Sequence, residues 1–432
     1  MSNKIQNIED TDLPRVIVVG AGFAGLKLVR LLAPSAFQIV LLDKNNYHQF
    51  QPLFYQIATA GLEPSAISFP IRKLFQNQPN VHFRMGSLLE VNPDQNSILT
   101  DIGEIKYDHL VLCIGADTNF FGNEQIKKYA IPMKTVGEAL YLRNRILENF
   151  EKALNESDID RLDLLMNIVV VGGGPTGVEL AGALAEMKKF VLPKDYPELD
   201  FERMKITLLE GSGRLLNGMS ESAGTNARDY LTQLNVDVQL NSVVKTYDGK
   251  EAVLASGAIY RTKSLLWAAG IQANRFKGLN EDLFARGGRI IVDRYSRVKG
   301  SENIYALGDL AYMETPRYKT GHPQVAQVAI QQATRLYRNS KRILKNKKLK
   351  EFEYKDKGSM ATVGRNLAVC DLPIGHLKGF VAWVLWLFVH LMAILGAKNK
   401  LFVFINWSWN YLTYDQSLRL LIRHKNDNVV NE

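Results

Sequence analysis

An α/β architecture built on two copies of one strand–turn–helix unit follows from three observations. The apolar, mostly β-branched run Val16 to Val19 enters Gly20-x-Gly22-x-x-Gly25, after which LKLVRLLA continues in helical rhythm. The same glycine spacing returns at Gly172, Gly174 and Gly177, behind the run Ile168 to Val171 and before VELAGALAEMKKF. Each copy is followed by a second apolar strand that ends in a carboxylate, Asp43 in IVLLD and Glu210 in KITLLE. A helix N-terminus after such a turn offers unpaired N–H groups to phosphates, and the acidic residue grips a ribose hydroxyl. The duplication predicts two Rossmann-like dinucleotide-binding domains and therefore two nucleotides.

Composition supports a globular chain. The 432 residues suffice for two or three domains, with 46% hydrophobic and 22% charged residues. The net charge of +9 is unevenly placed: KRILKNKKLK, Lys341 to Lys350, carries six cations and no anion, and the end of the chain adds Arg419, Arg423 and Lys425. A solvated linker and an anionic membrane surface both fit the first run. No nucleic-acid motif accompanies the charge, so no nucleic-acid partner is expected. Cys113 and Cys370 each lie in a strand-like apolar run, and no closely spaced pair exists. That argues against a dithiol redox centre and a structural zinc; no metal site is expected. The polar N-terminus, with no apolar leader segment, predicts a cytosolic start.

Between the fingerprints, NNYHQFQPLFYQIATAGLEP fits neither helical nor strand period. It reads as a functional loop, or as a segment that packs Phe50, Phe54 and Tyr55 beneath a cofactor. The strands HLVLCIGA and SLLWAAG end in small residues, Gly115 with Ala116 and Gly270, suited to close approach of a cofactor. Thr135 to Asn155 reads as a helix. Glu210 follows Gly172 by 38 residues because VLPKDYPELDFER intervenes. NIYALGDLA delivers Gly308 and Asp309 at a strand's C-terminal end, where α/β sheets bind ligands. PQVAQVAIQQATRLYRNSKRIL reads as a helix opened by Pro323, with Gln327 and Gln331 sharing one face.

The tail differs. Strands around SMATVGRNLAVCDL precede the 19 residues 379–397, apolar except for His390, which as a helix would reach roughly 28 Å. A transmembrane anchor, a helix lying in the membrane interface and a helix buried at a homodimer contact all compete. Trp383, Trp386, Trp407, Trp409, Tyr411 and Tyr414, with the closing SLRLLIRHK, favour a monotopic, interfacial anchor. His48 and His390 receive no role.

The residues VIVVGAGFAGL, YHQFQPLFYQIATAGL, VVVGGGPTGVELAGALAE, YALGDLA, AQVAIQQA and the Trp-rich tail together resemble the type II NADH dehydrogenases, single-chain, non-pumping NADH:quinone oxidoreductases. The resemblance implies a flavin disulfide-reductase-like fold with a C-terminal membrane-anchoring region. It implies an FAD domain over 1–120 and 285–345, an NADH domain over 121–284 and a membrane region over 346–432. Gly20, Gly22, Gly25, Asp43, Ala116 and Asp309 would hold FAD; Gly172, Gly174, Gly177, Glu210 and Gly270 would hold NADH. Glu179, Gln327 and Gln331 would stand near nicotinamide, flavin and quinone as catalytic residues. The implied location is the cytoplasmic face of the inner membrane, on anionic lipid. Glu210 favours NADH, while Arg214 could still receive a 2′-phosphate. A sulfide:quinone reductase, a flavin reductase with a soluble acceptor and a flavin redox sensor at the membrane are the alternatives.

Overall fold

The computed structural model describes residues 4–414 and 418–421, so Arg423 and Lys425 of the closing cationic segment lie outside the described residues. The chain forms two units. The first comprises Met1–His48, Phe69–Asp117 and Ile271–Asp356, the second Gln49–Ser68, Thr118–Gly270 and Lys357–Glu432.

In the first unit a five-stranded parallel sheet runs in the order Ile304–Ala306, His109–Leu112, Arg15–Val19, Gln38–Asp43, Val81–Met85. Its inner strands are apolar on both faces, as burial on both sides demands: Ile17, Leu110 and Val40 are essentially inaccessible. An antiparallel meander, Leu88–Asn92, Ser97–Thr100 and Gly103–Lys106, accompanies it. The fingerprint helix Phe23–Leu32 packs along the helix Ala326–Ile343. That second helix begins three residues later than Pro323 implies, because Val325 is still extended at φ −131° and ψ 152°. Gln327 therefore occupies its first turn. The basic run after Ile343 is tied back by Asn339, whose side chain bonds both Lys350 N and O at 3.1 and 2.8 Å.

The second unit repeats the plan. Its parallel sheet runs Ile131–Pro132, Ser264–Trp267, Ile168–Val171, Ile206–Leu209, Asp237–Gln239, with a meander of Val244–Tyr247, Glu251–Leu254 and Ile259–Arg261. The helix Val136–Ala153 starts with a capping box in which Thr135 and Glu138 satisfy each other's backbone N–H.

The chain returns to the first unit at Ile271, and residues from Lys357 onward group with the second unit. The reason is packing: the strand Ser359–Gly364 lies on the second fingerprint helix, Pro175–Phe190, where a Cβ at Gly182 would run into the carbonyl of Val363. Asp371, on the next strand, accepts from Ser220 N at 2.5 Å and Ser220 Oγ at 2.8 Å, which pins the tail sheet to the N-cap of Glu221–Gln233.

Residues 379–397 do not form one span. A helix covers Gly379–Ala393, Gly396 turns the chain at φ +81°, and a second helix covers Ala397–Thr413. Fifteen helical residues reach about 22 Å, short of a hydrocarbon core of about 30 Å. Among the described residues no helix is long and apolar enough to cross a membrane.

Candidate active site

Each parallel sheet ends in the same device. Gly20 (φ +101°) and Gly172 (φ +112°) turn the chain in a left-handed conformation, each so close to the neighbouring strand's backbone, at Cys113 and Ala268, that a Cβ would clash. Gly25 and Gly177 bring their helices against the carbonyls of Gly20 and Gly172. Open space surrounds Gly22 and Gly174, which occupy the N-cap positions of their helices without any side-chain cap. Asp43 Oδ2 accepts from Ala21 N at 2.6 Å, and Glu210 Oε2 accepts from Gly173 N at 2.5 Å. Burial raises the Asp43 carboxyl above its usual range, partly offset by the N–H groups of Ala21 and Asn45. Two uncapped, side-chain-free helix N-termini, each beside a carboxylate, fit the pyrophosphate and ribose of a dinucleotide.

The expected residues divide between the units. In the first, Ala116 begins the short strand after Gly115, and Gln324 donates to Asp309 O at 2.9 Å. Gln332, absent from the sequence reading, accepts from Gly308 N at 2.8 Å and is buried. Its signal was present: it falls in the buried stripe Val328, Ala329, Ala333 at helical spacing. Gln327 Oε1 lies 3.5 Å from the Tyr354 hydroxyl, whereas Gln331 is tied at both ends of its amide to the backbone of Lys355, at 2.8 and 3.1 Å. His48 is structural in its contacts, with Nδ1 2.9 Å from Ala21 O and its ring against Phe23.

In the second unit, Gly270 holds φ +97° after the strand Ser264–Trp267. Arg214 is spent locally, donating to Asn217 Oδ1, Asn217 O and Met219 O at 2.9 to 3.1 Å.

Glu179 opens onto something the sequence did not reveal, a cavity of about 630 Å³ lined by the second fingerprint helix, the tail strand and both tail helices. Its walls are mostly apolar and aromatic, among them Trp383, Trp386, Leu387 and Phe404. Burial pushes the Glu179 carboxyl up to about 8, against a small opposing pull from Thr362 N–H at 3.4 Å and the nearby Trp386 indole. The Trp386 N–H is itself buried without closing a hydrogen bond. His390 stacks on Trp386 with centroids 4.0 Å apart, and burial drives its pKa down to about 4, so it is neutral. Glu186, two turns beyond Glu179 on the same helix, lines the same cavity. The loop after Asp43 contributes Tyr55 and Gln56; Tyr55 packs in the cavity wall against Trp386. Cys113 and Cys370 are both buried, and burial raises both thiols, Cys370 to about 11.

Two nucleotide cradles in tandem with an apolar, acid-bearing cavity define a dinucleotide-dependent oxidoreductase. Residues 14–333 match the pyridine nucleotide-disulphide oxidoreductase family, and residues 357–414 match the NDH2 C-terminal domain. A type II NADH:quinone oxidoreductase of Mycobacterium tuberculosis is 34% identical over 92% of this chain and 88% of its own length. One from Staphylococcus aureus is 28% identical over 85% of this chain and 92% of its own. The structure of NDH2 from Plasmodium falciparum in complex with NADH matches with a TM-score of 0.86 at 22% identity, covering 95% of this chain and all of that one. The chain belongs to the type II NADH:quinone oxidoreductase family.

Proposed function

We propose that the chain oxidises NADH and reduces a membrane quinone, without pumping protons, with FAD in the first cradle, NADH in the second and the quinone head in the Glu179 cavity. Bound FAD supplies the two-electron chemistry that links NADH to quinone. The observation that carries the quinone assignment is the cavity itself: apolar and aromatic walls suit a quinone ring and its prenyl chain, and Glu179 is an acid at neutral pH that can protonate a quinone oxygen. Glu210 accepts a ribose hydroxyl, and with Arg214 committed elsewhere nothing there invites a 2′-phosphate. Gln327 presents its amide from a first helical turn in the FAD-binding unit, and Gln331 fixes the Lys355 backbone beside Tyr354 so that the phenol meets Gln327.

Phe380, Val381, Phe388, Met392, Leu401, Phe402, Ile405 and Leu412 expose apolar surface on the two tail helices. This surface docks the enzyme on a bilayer as a monotopic protein, on the cytoplasmic face and with help from anionic lipid. Flotation with anionic vesicles tests this; a homodimer through the same surface would leave the protein at the bottom of the gradient.

The decisive experiment is anaerobic stopped-flow reoxidation of NADH-reduced enzyme by a short-chain quinone. Glu179→Gln and Leu387→Trp should reduce the flavin normally and slow reoxidation on the order of 100-fold. Wild-type reoxidation in both variants would remove quinone from this cavity.

A further inference from the structure

The cavity holds a second carboxyl group and a phenol that the reaction has not yet used. Glu186 lies seven residues after Glu179, so both carboxyls issue from one face of the helix and line one cavity. Glu186 Oε1 accepts from Arg365 N at 2.5 Å, and the Arg365 guanidinium lies over the rings of Tyr411 and Tyr414, 4.1 and 3.8 Å from their centroids. The buried phenol of Tyr55 stands within electrostatic reach of both carboxyls, which both oppose its ionisation.

The orientation of that phenol is set by a chain of hydrogen bonds. Trp407 Nε1 donates to Gln56 Oε1 at 2.8 Å, which forces the amide to present Nε2 to Tyr55, and that nitrogen donates to the hydroxyl at 2.9 Å. A phenol has one donor and two acceptor sites. With one acceptor site filled by Gln56, the hydroxyl keeps one acceptor site and its own proton, the two ends a relay requires.

We propose that Glu186 and Tyr55 form a proton relay that reloads Glu179 between turnovers. This rests on the quinone reading of the cavity. The overall reaction, NADH + quinone + H⁺ → NAD⁺ + quinol, draws one proton from water per turnover, and Glu179, which supplies it, is itself buried. After Glu179 gives its proton to a quinone oxygen, its carboxylate takes the Tyr55 hydroxyl proton while Tyr55 takes the proton of Glu186, each transfer passing through a water in the cavity that bridges the phenol to the carboxyl. Burial disfavours the resulting Glu186 carboxylate, an effect that the adjacent Arg365 only partly offsets, so Glu186 then recovers a proton from water. The charged and titratable groups facing this path are Glu179, Glu186, Tyr55, Arg365, Tyr411 and Tyr414, with neutral His390 stacked behind Trp386.

The test compares first-turnover and steady-state quinone reduction in Glu186→Gln and Tyr55→Phe holoenzymes, with the flavin spectrum and NADH half-reaction as checks on folding. A relay predicts steady-state rates lowered at least about 10-fold and first-turnover reoxidation slowed much less than that. It also predicts turnover that falls steeply from about pH 6 to 7, where the wild type is flat. Glu186→Asp should recover part of the rate. Steady-state rates equal to wild type across this range, or a first turnover slowed as much as later ones, would overturn the relay. If Glu179→Gln also leaves reoxidation untouched, the quinone reading fails; if only Glu186→Gln and Tyr55→Phe are silent, the relay alone fails.

Discussion

The two fingerprint helices begin alike and end in different neighbourhoods. Both start at an open glycine beside a carboxylate that holds the turn. Phe23–Leu32 is then covered by the helix Ala326–Ile343, with Gly308 packed close to Ala24 and Ala329. Pro175–Phe190 is covered by a strand of the tail, and its far face carries Glu179 and Glu186 into a cavity. The lesson is that the glycine turn specifies a nucleotide cradle and nothing more; what packs against the helix decides whether the same unit acquires a second site.

The comparison can be broken most severely at Gly182. Its Cβ position is occupied by the backbone of Val363, which cannot move without releasing the tail sheet. Gly182→Ala should therefore cost at least about 3 kcal/mol in denaturant unfolding and abolish quinone reduction. Ala at the open Gly174, by contrast, should leave unfolding within about 1 kcal/mol of wild type and raise the Kd for NADH.

Next in size, the two turns should separate the two nucleotides. Gly20→Ala should yield protein depleted of FAD, seen as lost flavin absorbance, and Gly172→Ala should keep the flavin but lose its rapid reduction by NADH. Loss of flavin from both variants would show that the cradles do not act independently.

The buried Glu179 sharpens the contrast through pH. Its carboxyl, ordinarily near 4.5, sits at about 8 in the fold, so between these values the folded chain retains a proton that the unfolded chain has released. Stability from this group is complete below pH 4.5 and drains away as pH rises toward 8, by roughly 1.4 kcal/mol per unit across that window. Glu179→Gln should flatten this slope in denaturation curves taken across the range; an unchanged slope would mean the carboxyl is not buried in solution.

The smallest effect is expected at Trp407→Phe, which removes one hydrogen bond to Gln56 and should cost about 1 kcal/mol.

Much of the fold was legible because local chemistry demanded it. A left-handed turn needs glycine, a helix N-terminus needs an anion, and a strand buried on both faces needs a continuous apolar run, so Gly20, Gly172, Asp43, Glu210 and the two parallel sheets could be placed from the order of residues alone. Glu179 and Gln327 were recognised through family resemblance. Gln332 was overlooked because a Gln pair four apart drew attention to the neighbouring face. The tail shows where linear reading ends. Nineteen nearly unbroken apolar residues carry the hydropathy of a membrane span, and the fold ends their helix at Ala393 and turns the chain at Gly396 into a second helix, Ala397–Thr413. The cavity is equally invisible in one dimension, since Tyr55, Glu186, Arg365 and Trp407 come from separate segments spread between residues 55 and 407. Periodicity reports which face of an element is apolar; it does not report which other element will cover that face, and that choice created the cavity and set the pKa of the carboxyl inside it.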